Sequence, residues 1–158
     1  MSSNPRVCVI TGAGAGIGKA CVNVFARQGY HVLAADVDGE AAAITARDVH
    51  ARYGIESVGF ACNVSVPSDC KAVADEAQSR WGRIDALVGN AGIQTSGRLL
   101  DSTEAEWTRL VDVNLKGILN SCRAVLPAMI PQHDGRIVLV SSINAVLAPA
   151  GMTIYDMT

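Results

Sequence analysis

Residues 6–18 of the chain read RVCVITGAGAGIG, and this stretch decides the fold. Arg6–Thr11 is a short apolar run rich in β-branched residues, which predicts a buried strand of a parallel sheet. A glycine-rich turn follows at once, and Ile17–Gln28 then has the pattern of a helix that ends at Gly29. A strand, a glycine-rich turn and a helix in this order predict the start of a dinucleotide-binding βαβ unit.

The glycines of this turn follow the pattern T-G-x-x-x-G-x-G, set by Gly12, Gly16 and Gly18. Glycine is needed where a backbone turns tightly and where a phosphate approaches without meeting a Cβ. The free N–H groups and the dipole of the following helix favour a pyrophosphate at this point. Ile17 stands where G-x-G-x-x-G has its last glycine, and a P-loop is excluded because Ala20 follows Lys19. The alternative interpretation is a glycine-rich turn without function.

Asp36 ends the second predicted strand, His31–Asp36. A carboxylate at this position can accept hydrogen bonds from both ribose hydroxyls of an adenosine, and it repels a 2′-phosphate. No Arg or Lys lies among residues 13–17 or 34–38 to offset that repulsion. The sequence therefore predicts NAD as the cofactor rather than NADP. The alternative is that Asp36 serves only as a turn residue or a helix cap.

The rest of the chain continues the alternation of strands and helices. Further strands are predicted at 55–64, 84–89 and 136–141, and helices at 39–53, 65–81 and 103–128. Ser65 is predicted to cap the third helix, Thr103 and Glu106 fit a capping box, and Pro131 follows the last helix. Right-handed crossovers then give one domain over 1–158, a three-layered α/β Rossmann-type fold with a doubly wound parallel sheet.

Composition argues against several other classes of protein. The net charge is −2, so neither nucleic acid nor an anionic membrane is an expected partner. No apolar run approaches the ~18 residues of a membrane-spanning helix. The five cysteines and three histidines are scattered, so no metal site is expected. Unpaired cysteines of this kind are typical of a reducing compartment, and we expect a cytoplasmic protein.

Later motifs resemble the short-chain dehydrogenase/reductase family along essentially the whole chain. Asn90-Ala91-Gly92 closes the fourth strand as that family's N-A-G does, and Asn63-Val64 stands where the family commonly has Asp-Val against the adenine. Asn114 matches the family's mid-helix asparagine. Ser142 and Tyr155 have the spacing of the family's catalytic serine and tyrosine.

The resemblance implies hydride transfer between NAD(H) and a secondary alcohol or ketone. Tyr155 would be the general acid/base, and Ser142 would hold the substrate oxygen. Asn114 would support a water linked to the family's catalytic lysine. Both hydroxyls follow the fifth strand, where open α/β sheets place their ligands. The resemblance further implies a homo-oligomer for a full-length form.

One departure from the family concerns its Y-x-x-x-K signature. Tyr155-Asp156-Met157-Thr158 ends the sequence, so the lysine would be the next residue. In the family this lysine binds the nicotinamide ribose and lowers the pKa of the tyrosine, and further strands, helices and a substrate loop follow. We therefore expect a fragment of a longer chain that is inactive by itself.

Two other functions remain open from the residues alone. The first is a truncated, non-catalytic protein that binds NAD or interacts with partners. The second is a methyltransferase, a class that also combines a glycine-rich loop with an acidic residue after the second strand. The N-A-G motif together with Ser142 and Tyr155 counts against the methyltransferase.

Overall fold

A computed structural model describes residues 5–158, except for the side chain of residue 145. Five parallel strands form one sheet in the order β3-β2-β1-β4-β5. This strand order reverses beside β1, which is where doubly wound sheets open a crevice for ligands. The predicted Rossmann-type α/β fold is confirmed. The strands are β1 Val7–Thr11, β2 His31–Asp36, β3 Ser57–Ala61, β4 Ala86–Gly89 and β5 Arg136–Leu139.

Helices cover both faces of this sheet. Alternate side chains of β1 point to opposite faces, as the pleat of a strand requires. Val7 and Val9 join a core formed with α3 and α5, whereas Cys8 and Ile10 join a second core formed with α1 and α2. The helices are α1 Gly16–Arg27, α2 Gly39–Tyr53, α3 Pro67–Trp81, α4 Glu104–Leu110, α5 Gly117–Gln132, α6 Asn144–Leu147 and α7 Thr153–Asp156.

The helix predicted over 103–128 is wrong in two respects. Residues Val111–Lys116 form a π-helical segment, so the helix is divided into α4 and α5. The second part continues past 128 to Gln132 and contains Pro131, which was predicted to lie beyond it. Proline removes one intrahelical N–H but does not stop this helix, which ends where His133 adopts a left-handed conformation with φ 51°.

Two smaller expectations about element ends also differ from the structure. Val66, not Ser65, is the N-cap of α3, because the Ser65 N–H and hydroxyl both donate to Asn63 Oδ1. The predicted strands 55–64, 84–89 and 136–141 are shorter, and β3 covers only Ser57–Ala61. The capping box of Thr103 and Glu106 is confirmed.

The side chains of β5 remain largely uncovered. All four of its residues are exposed, among them Ile137, Val138 and Leu139 at 38, 55 and 48%. Within residues 5–158, β5 has one strand neighbour, β4, and its other edge is open. None of the helices described is long and apolar enough to cross a membrane.

Candidate active site

A cleft of about 970 Å³ opens at the carboxyl ends of the strands. Its volume lies at the upper end of the range for small-molecule sites, which is about 300–1,000 Å³. All the residues predicted to bind the cofactor line this cleft, except Gly18. They are Gly12, Gly16, Ile17, Asp36, Asn63, Val64, Asn90, Ala91 and Gly92.

The glycine-rich turn fits together so tightly that Gly12 and Gly18 have no room for a side chain. A Cβ on Gly18 would lie 2.0 Å from the carbonyl oxygen of Gly12. A Cβ on Gly12 would lie 2.7 Å from Asn90 Nδ2, and the φ of Gly12 is +65°. Gly18 does not line the cleft; its missing side chain lets α1 start directly against the turn, so that Gly16 and Ile17 at the start of α1 line the cleft.

Thr11 and Asn90 hold the turn to the end of β4. The Thr11 hydroxyl accepts the N–H groups of Asn90 and Ala91 at 3.0 and 3.1 Å. In return, Asn90 Nδ2 donates to the carbonyls of Thr11 and Gly12 at 3.0 and 3.2 Å. The side chain of Asn90 thus braces the turn. Sequence reasoning gave Thr11 no role, although this threonine opens the T-G-x-x-x-G-x-G pattern.

The carboxylate of Asp36 is held in place at the wall of the cleft. Oδ2 accepts the N–H of Gly14 at 2.8 Å, and Oδ1 accepts the N–H of Asp38 at 3.0 Å. Asp38, not Asp36, caps α2, because its side chain accepts from Glu40 N and Ala41 N. Asp36 is therefore not a helix cap. A Cβ on Gly14 would lie 3.0 Å from Asp36 Oδ2, a close approach that sequence reasoning did not assign.

The segment after β3 forms another part of the wall. Asn63 N–H donates to Asp69 Oδ2 at 3.1 Å, and Asn120 Nδ2 donates to the carbonyl of Val64 at 2.9 Å. Val64 is buried, whereas the side chain of Asn63 is exposed. These contacts fix the short connection between β3 and α3 against α5.

Helix α4 and the π-helical segment supply a wall that the sequence did not reveal. Polar residues on an exposed helix face look the same in the sequence whether that face borders a cleft or bulk solvent. The sequence therefore does not indicate which helix lines the cleft. Among the described residues that line the cleft, Arg109 is the one basic side chain and Asp112 lies one turn later. The residues contributed are Ala105, Thr108, Arg109, Asp112 and Val113.

The three residues predicted to be catalytic lie outside the lining of this cleft. The side-chain amide of Asn114 makes two hydrogen bonds to the backbone of Ile93. Asn114 Oδ1 accepts the N–H of Ile93, and Asn114 Nδ2 donates to the Ile93 carbonyl, each at 2.9 Å. Asn114 Nδ2 also donates to Thr158 Oγ1 at 2.9 Å. Because Ile93 itself lines the cleft, Asn114 connects the cleft to the segment that carries Tyr155.

Ser142 and Tyr155 occupy the carboxyl side of β5. Ser142 Oγ accepts the N–H of Asn144 at 3.2 Å, and Tyr155 lies half-buried in α7. In the part of the chain that is described, the hydroxyls of Ser142 and Tyr155 do not hydrogen-bond to each other. No cluster of His, Cys, Asp or Glu among these residues could hold a metal ion.

A family model described as short chain dehydrogenase matches residues 6–158. The 3-oxoacyl-[acyl-carrier-protein] reductase FabG of Thermotoga maritima is 37% identical over 95% of this chain and 61% of its own length. The oxidoreductase UcpA of Escherichia coli K12 is 35% identical over 97% of this chain and 58% of its own. The chain thus spans about 60% of the length of these curated relatives.

Two solved structures share the fold. A short chain dehydrogenase/reductase from Burkholderia phymatum in complex with NAD superposes with a TM-score of 0.93 at 34% identity. This match covers 99% of the present chain and 56% of that one. A 7α-hydroxysteroid dehydrogenase with NADH and 7-oxo glycochenodeoxycholic acid has a TM-score of 0.91 at 29% identity, over 98% of this chain and 60% of that one.

Proposed function

The chain belongs to the short-chain dehydrogenase family, and we propose on that premise that its cleft binds NAD(H) for hydride transfer involving a secondary alcohol or ketone. One observation carries this proposal. One cleft, beside β1 where the strand order reverses, is lined by all the predicted cofactor-binding segments. These segments are the glycine turn, Asp36, the segment after β3 and the N-A-G motif.

In this proposal different elements of the cleft bind the pyrophosphate, the adenosine ribose and the adenine of the dinucleotide. The amides of Gly16 and Ile17 at the start of α1 bind the pyrophosphate, since helix N-termini favour anions. Asp36 accepts the ribose hydroxyls, and its orientation is fixed by the Gly14 and Asp38 amides. Asn63 and Val64 contact the adenine from the wall that follows β3.

NAD is favoured over NADP for an electrostatic reason. A 2′-phosphate beside Asp36 would meet a carboxylate at close range. The nearby amides of Gly14 and Asp38 already donate to that carboxylate, so they are not free to bind the phosphate. The NAD and NADH complexes of the two solved relatives support a nicotinamide cofactor, and the preference for NAD rests on Asp36.

The reaction needs a proton as well as a hydride. Bound NAD(H) supplies or accepts the hydride. Tyr155 gives a proton to the ketone oxygen or takes one from the alcohol, and Ser142 holds that oxygen by a hydrogen bond. Asn114 positions the Tyr155 segment through its bond to Thr158. The five free thiols of the chain fit a reducing, cytoplasmic location.

A non-catalytic NAD-binding protein is the second candidate, because Ser142 and Tyr155 lie outside the lining of the cleft. Two proteins distinguish the enzyme from the non-catalytic candidate: purified residues 1–158, and a chimera that continues the chain with the family's lysine of Y-x-x-x-K and the segment that follows it. We expect NADH oxidation with a panel of ketones by the chimera only, since the 158 residues hold no lysine at the family's position to assist Tyr155. Equal turnover by the short chain would contradict the role given to that lysine. No turnover by a folded chimera that binds NADH would favour the non-catalytic candidate.

The cofactor class is tested separately by titrating residues 1–158 with NADH, NADPH and S-adenosylmethionine. We expect saturable binding of NADH and weaker binding of NADPH. Binding of S-adenosylmethionine in preference to NADH would overturn the assignment in favour of a methyltransferase. The variant Asp75→Asn is a matched control for all carboxylate changes, because Asp75 is exposed and pairs only with Lys71 one turn away.

A further inference from the structure

The residues that follow β3 form the part of the cleft wall where the proposed function places the adenine. Asn63, Val64 and Ser65 all line the cleft. The side chain of Asn63 is exposed, whereas Val64 is buried. A purine that lies against this wall is recognised by hydrogen bonds to its edge. The donors and acceptors that these three residues leave free therefore decide which purine fits best.

The side-chain oxygen of Asn63 is already used inside the protein. Asn63 Oδ1 accepts the backbone N–H of Ser65 at 3.1 Å and the Ser65 hydroxyl at 2.8 Å. The first of these bonds fixes which side-chain atom is the oxygen, because a backbone N–H can only donate. An amide oxygen has two lone pairs, and both are occupied here. Asn63 Nδ2, by contrast, donates to no protein atom among residues 5–158.

The backbone of the same segment has its acceptors occupied as well. The Asn63 carbonyl accepts the N–H of Val66 at 2.9 Å, and the Val64 carbonyl accepts Nδ2 of Asn120 at 2.9 Å. The Asn63 N–H donates to Asp69 Oδ2 at 3.1 Å, whereas the Val64 N–H has no partner within the described chain. The polar groups of residues 63 and 64 that remain without a partner are therefore both donors.

Adenine and hypoxanthine present opposite groups at position 6 of the purine ring. Adenine has an amine there, which donates, and hypoxanthine has a carbonyl oxygen, which accepts, as in guanine. An asparagine with both side-chain atoms free binds adenine in a bidentate way, because it accepts from the amine and donates to N7. Asn63 cannot do so, since Ser65 occupies its oxygen. Its free nitrogen instead matches a 6-oxopurine, in which O6 and N7 are both acceptors.

We infer that Asn63 sets the base specificity of the cleft, and that a nicotinamide dinucleotide with hypoxanthine in place of adenine binds at least as tightly as NAD(H). Ser65 is a positioning residue for this selectivity, because its two hydrogen bonds occupy both lone pairs of Asn63 Oδ1. The inference rests on the proposed function, since it requires that the dinucleotide places its purine against the wall after β3.

Three other side chains of the cleft carry acceptors that compete for an adenine amine. Ser65 Oγ keeps its lone pairs after its hydrogen is donated, and Thr108 and Asp112 line the helical wall. The Asp112 carboxylate already pairs with Lys116 Nζ at 2.7 Å. A hydrogen bond contributes about 1 kcal/mol net, so exchanging a donor for an acceptor at residue 63 should change the ratio of the two affinities by roughly fivefold or more.

The base specificity is measured by titrating residues 1–158 with NADH and with its hypoxanthine analogue. Both carry the same reduced nicotinamide, so the same fluorescence signal reports both titrations. We expect the analogue to bind at least as tightly as NADH. Tighter binding of NADH would overturn the inference, and it would show that another group of the cleft accepts from the adenine amine. Binding of neither dinucleotide would contradict the proposed function, and the inference with it.

Asn63→Asp assigns the selectivity to a single atom. The variant keeps an oxygen for Ser65 and places a second oxygen where Nδ2 was, so the ratio of affinities should shift towards NADH by roughly fivefold or more. The added charge acts on both dinucleotides alike and cancels in that ratio. Asn23→Asp, on α1 and outside the cleft lining, is the matched control and should leave the ratio unchanged. An unchanged ratio in Asn63→Asp would overturn the role of Asn63.

Ser65→Ala tests the positioning role with a change that adds no charge. It frees one lone pair of Asn63 Oδ1 while the backbone N–H of residue 65 still holds the other. We expect a shift of the ratio towards NADH, smaller than that of Asn63→Asp, at an unchanged melting temperature. A shift towards the hypoxanthine analogue would show that the Ser65 hydroxyl itself accepts from the adenine amine, and it would overturn the inference.

Discussion

At the scale of single residues, Asp36 carries the choice of cofactor. Asp36→Asn keeps the shape of the side chain but removes its charge, and it should weaken NADH binding and reduce the discrimination against NADPH. Hydrogen bonds to a charged group contribute about 1.5–3 kcal/mol, so the affinity for NADH should fall by roughly tenfold or more. Titration of both cofactors into this variant and into Asp75→Asn measures the effect. A wild-type protein that prefers NADPH would show that the role of Asp36 is wrong.

Gly18 is the residue on which the shape of the turn depends. Gly18→Ala places a Cβ 2.0 Å from the carbonyl oxygen of Gly12, so the turn or the helix must move. We expect a loss of about 1–3 kcal/mol in the free energy of unfolding, as for overpacked sites, together with loss of NADH binding. Val24→Ala is the control, because Val24 is half-exposed on the same helix. NADH affinity in Gly18→Ala equal to that of the control would contradict the account of the turn.

Several residues of the cleft were predictable from the sequence because their chemistry is tied to a strand end. Gly12 directly follows β1, Gly16 begins α1 after the turn, and Asp36 ends β2. Parallel strands bring their carboxyl ends to one edge of the sheet, so these residues lie together. Thr11 and Gly14 were not assigned, since their roles are hydrogen bonds and close contacts that appear only when the turn folds against Asn90 and Asp36. Arg109 faces the cleft from an exposed helix, which no local pattern indicates.

At the scale of elements, the π-helical segment is the feature that the hydrophobic pattern did not predict. A π-helical turn adds about one residue, which moves the side chains after it by about 100° around the helix axis. Apolar residues are frequent on both sides of this step, so the sequence pattern over 103–128 does not show where it falls. Asn114 lies in this segment, and its side-chain oxygen and nitrogen both hydrogen-bond to the backbone of Ile93. The segment therefore has a definite function: it turns a polar side chain towards the loop after β4.

Asn114→Leu tests that function. It leaves the N–H and the carbonyl of Ile93 without their partners, which costs about 1–3 kcal/mol for a buried group. We expect a lower melting temperature and weaker NADH binding, because Ile93 lines the cleft. Asn23→Leu is the comparison variant, since Asn23 Nδ2 donates only to the Lys19 carbonyl in its own helix. Equal melting temperatures of the two variants would show that Asn114 does not hold the loop.

At the scale of the whole described chain, residues 5–158 leave one edge of β5 unpaired, and a protein made of residues 1–158 alone would expose that edge to solvent. An unpaired strand with exposed apolar side chains is a template for pairing with another chain. We expect the protein to self-associate with rising concentration, as measured by sedimentation velocity. Val138→Lys should reduce this association, because it puts a charge on the open strand, whereas Leu100→Lys, at another exposed apolar site, should not. Identical association of both variants and the wild type would contradict the role of the edge.

The fold as a whole followed from the order of its strands and helices. Short apolar runs that alternate with amphipathic stretches permit few topologies once crossovers are right-handed. The ends of β3 and β5 did not follow, because a strand ends where its hydrogen-bonding partner ends. β3 pairs with β2 only as far as Ala61, opposite Asp36. The point at which the pairing stops depends on both strands, so the sequence of one strand alone does not predict it.

Hydrogen–deuterium exchange of residues 1–158 with and without NADH tests most directly whether the dinucleotide lies in this cleft. The account predicts slower exchange of backbone amides in three segments on binding: the glycine turn 12–18, residues 36–38 after β2, and residues 62–66 after β3. Helix α3 beyond Cys70 should exchange at the same rate in both samples, because it lies away from the cleft lining. NADH binding that leaves the exchange of residues 12–18 unchanged would contradict the central claim.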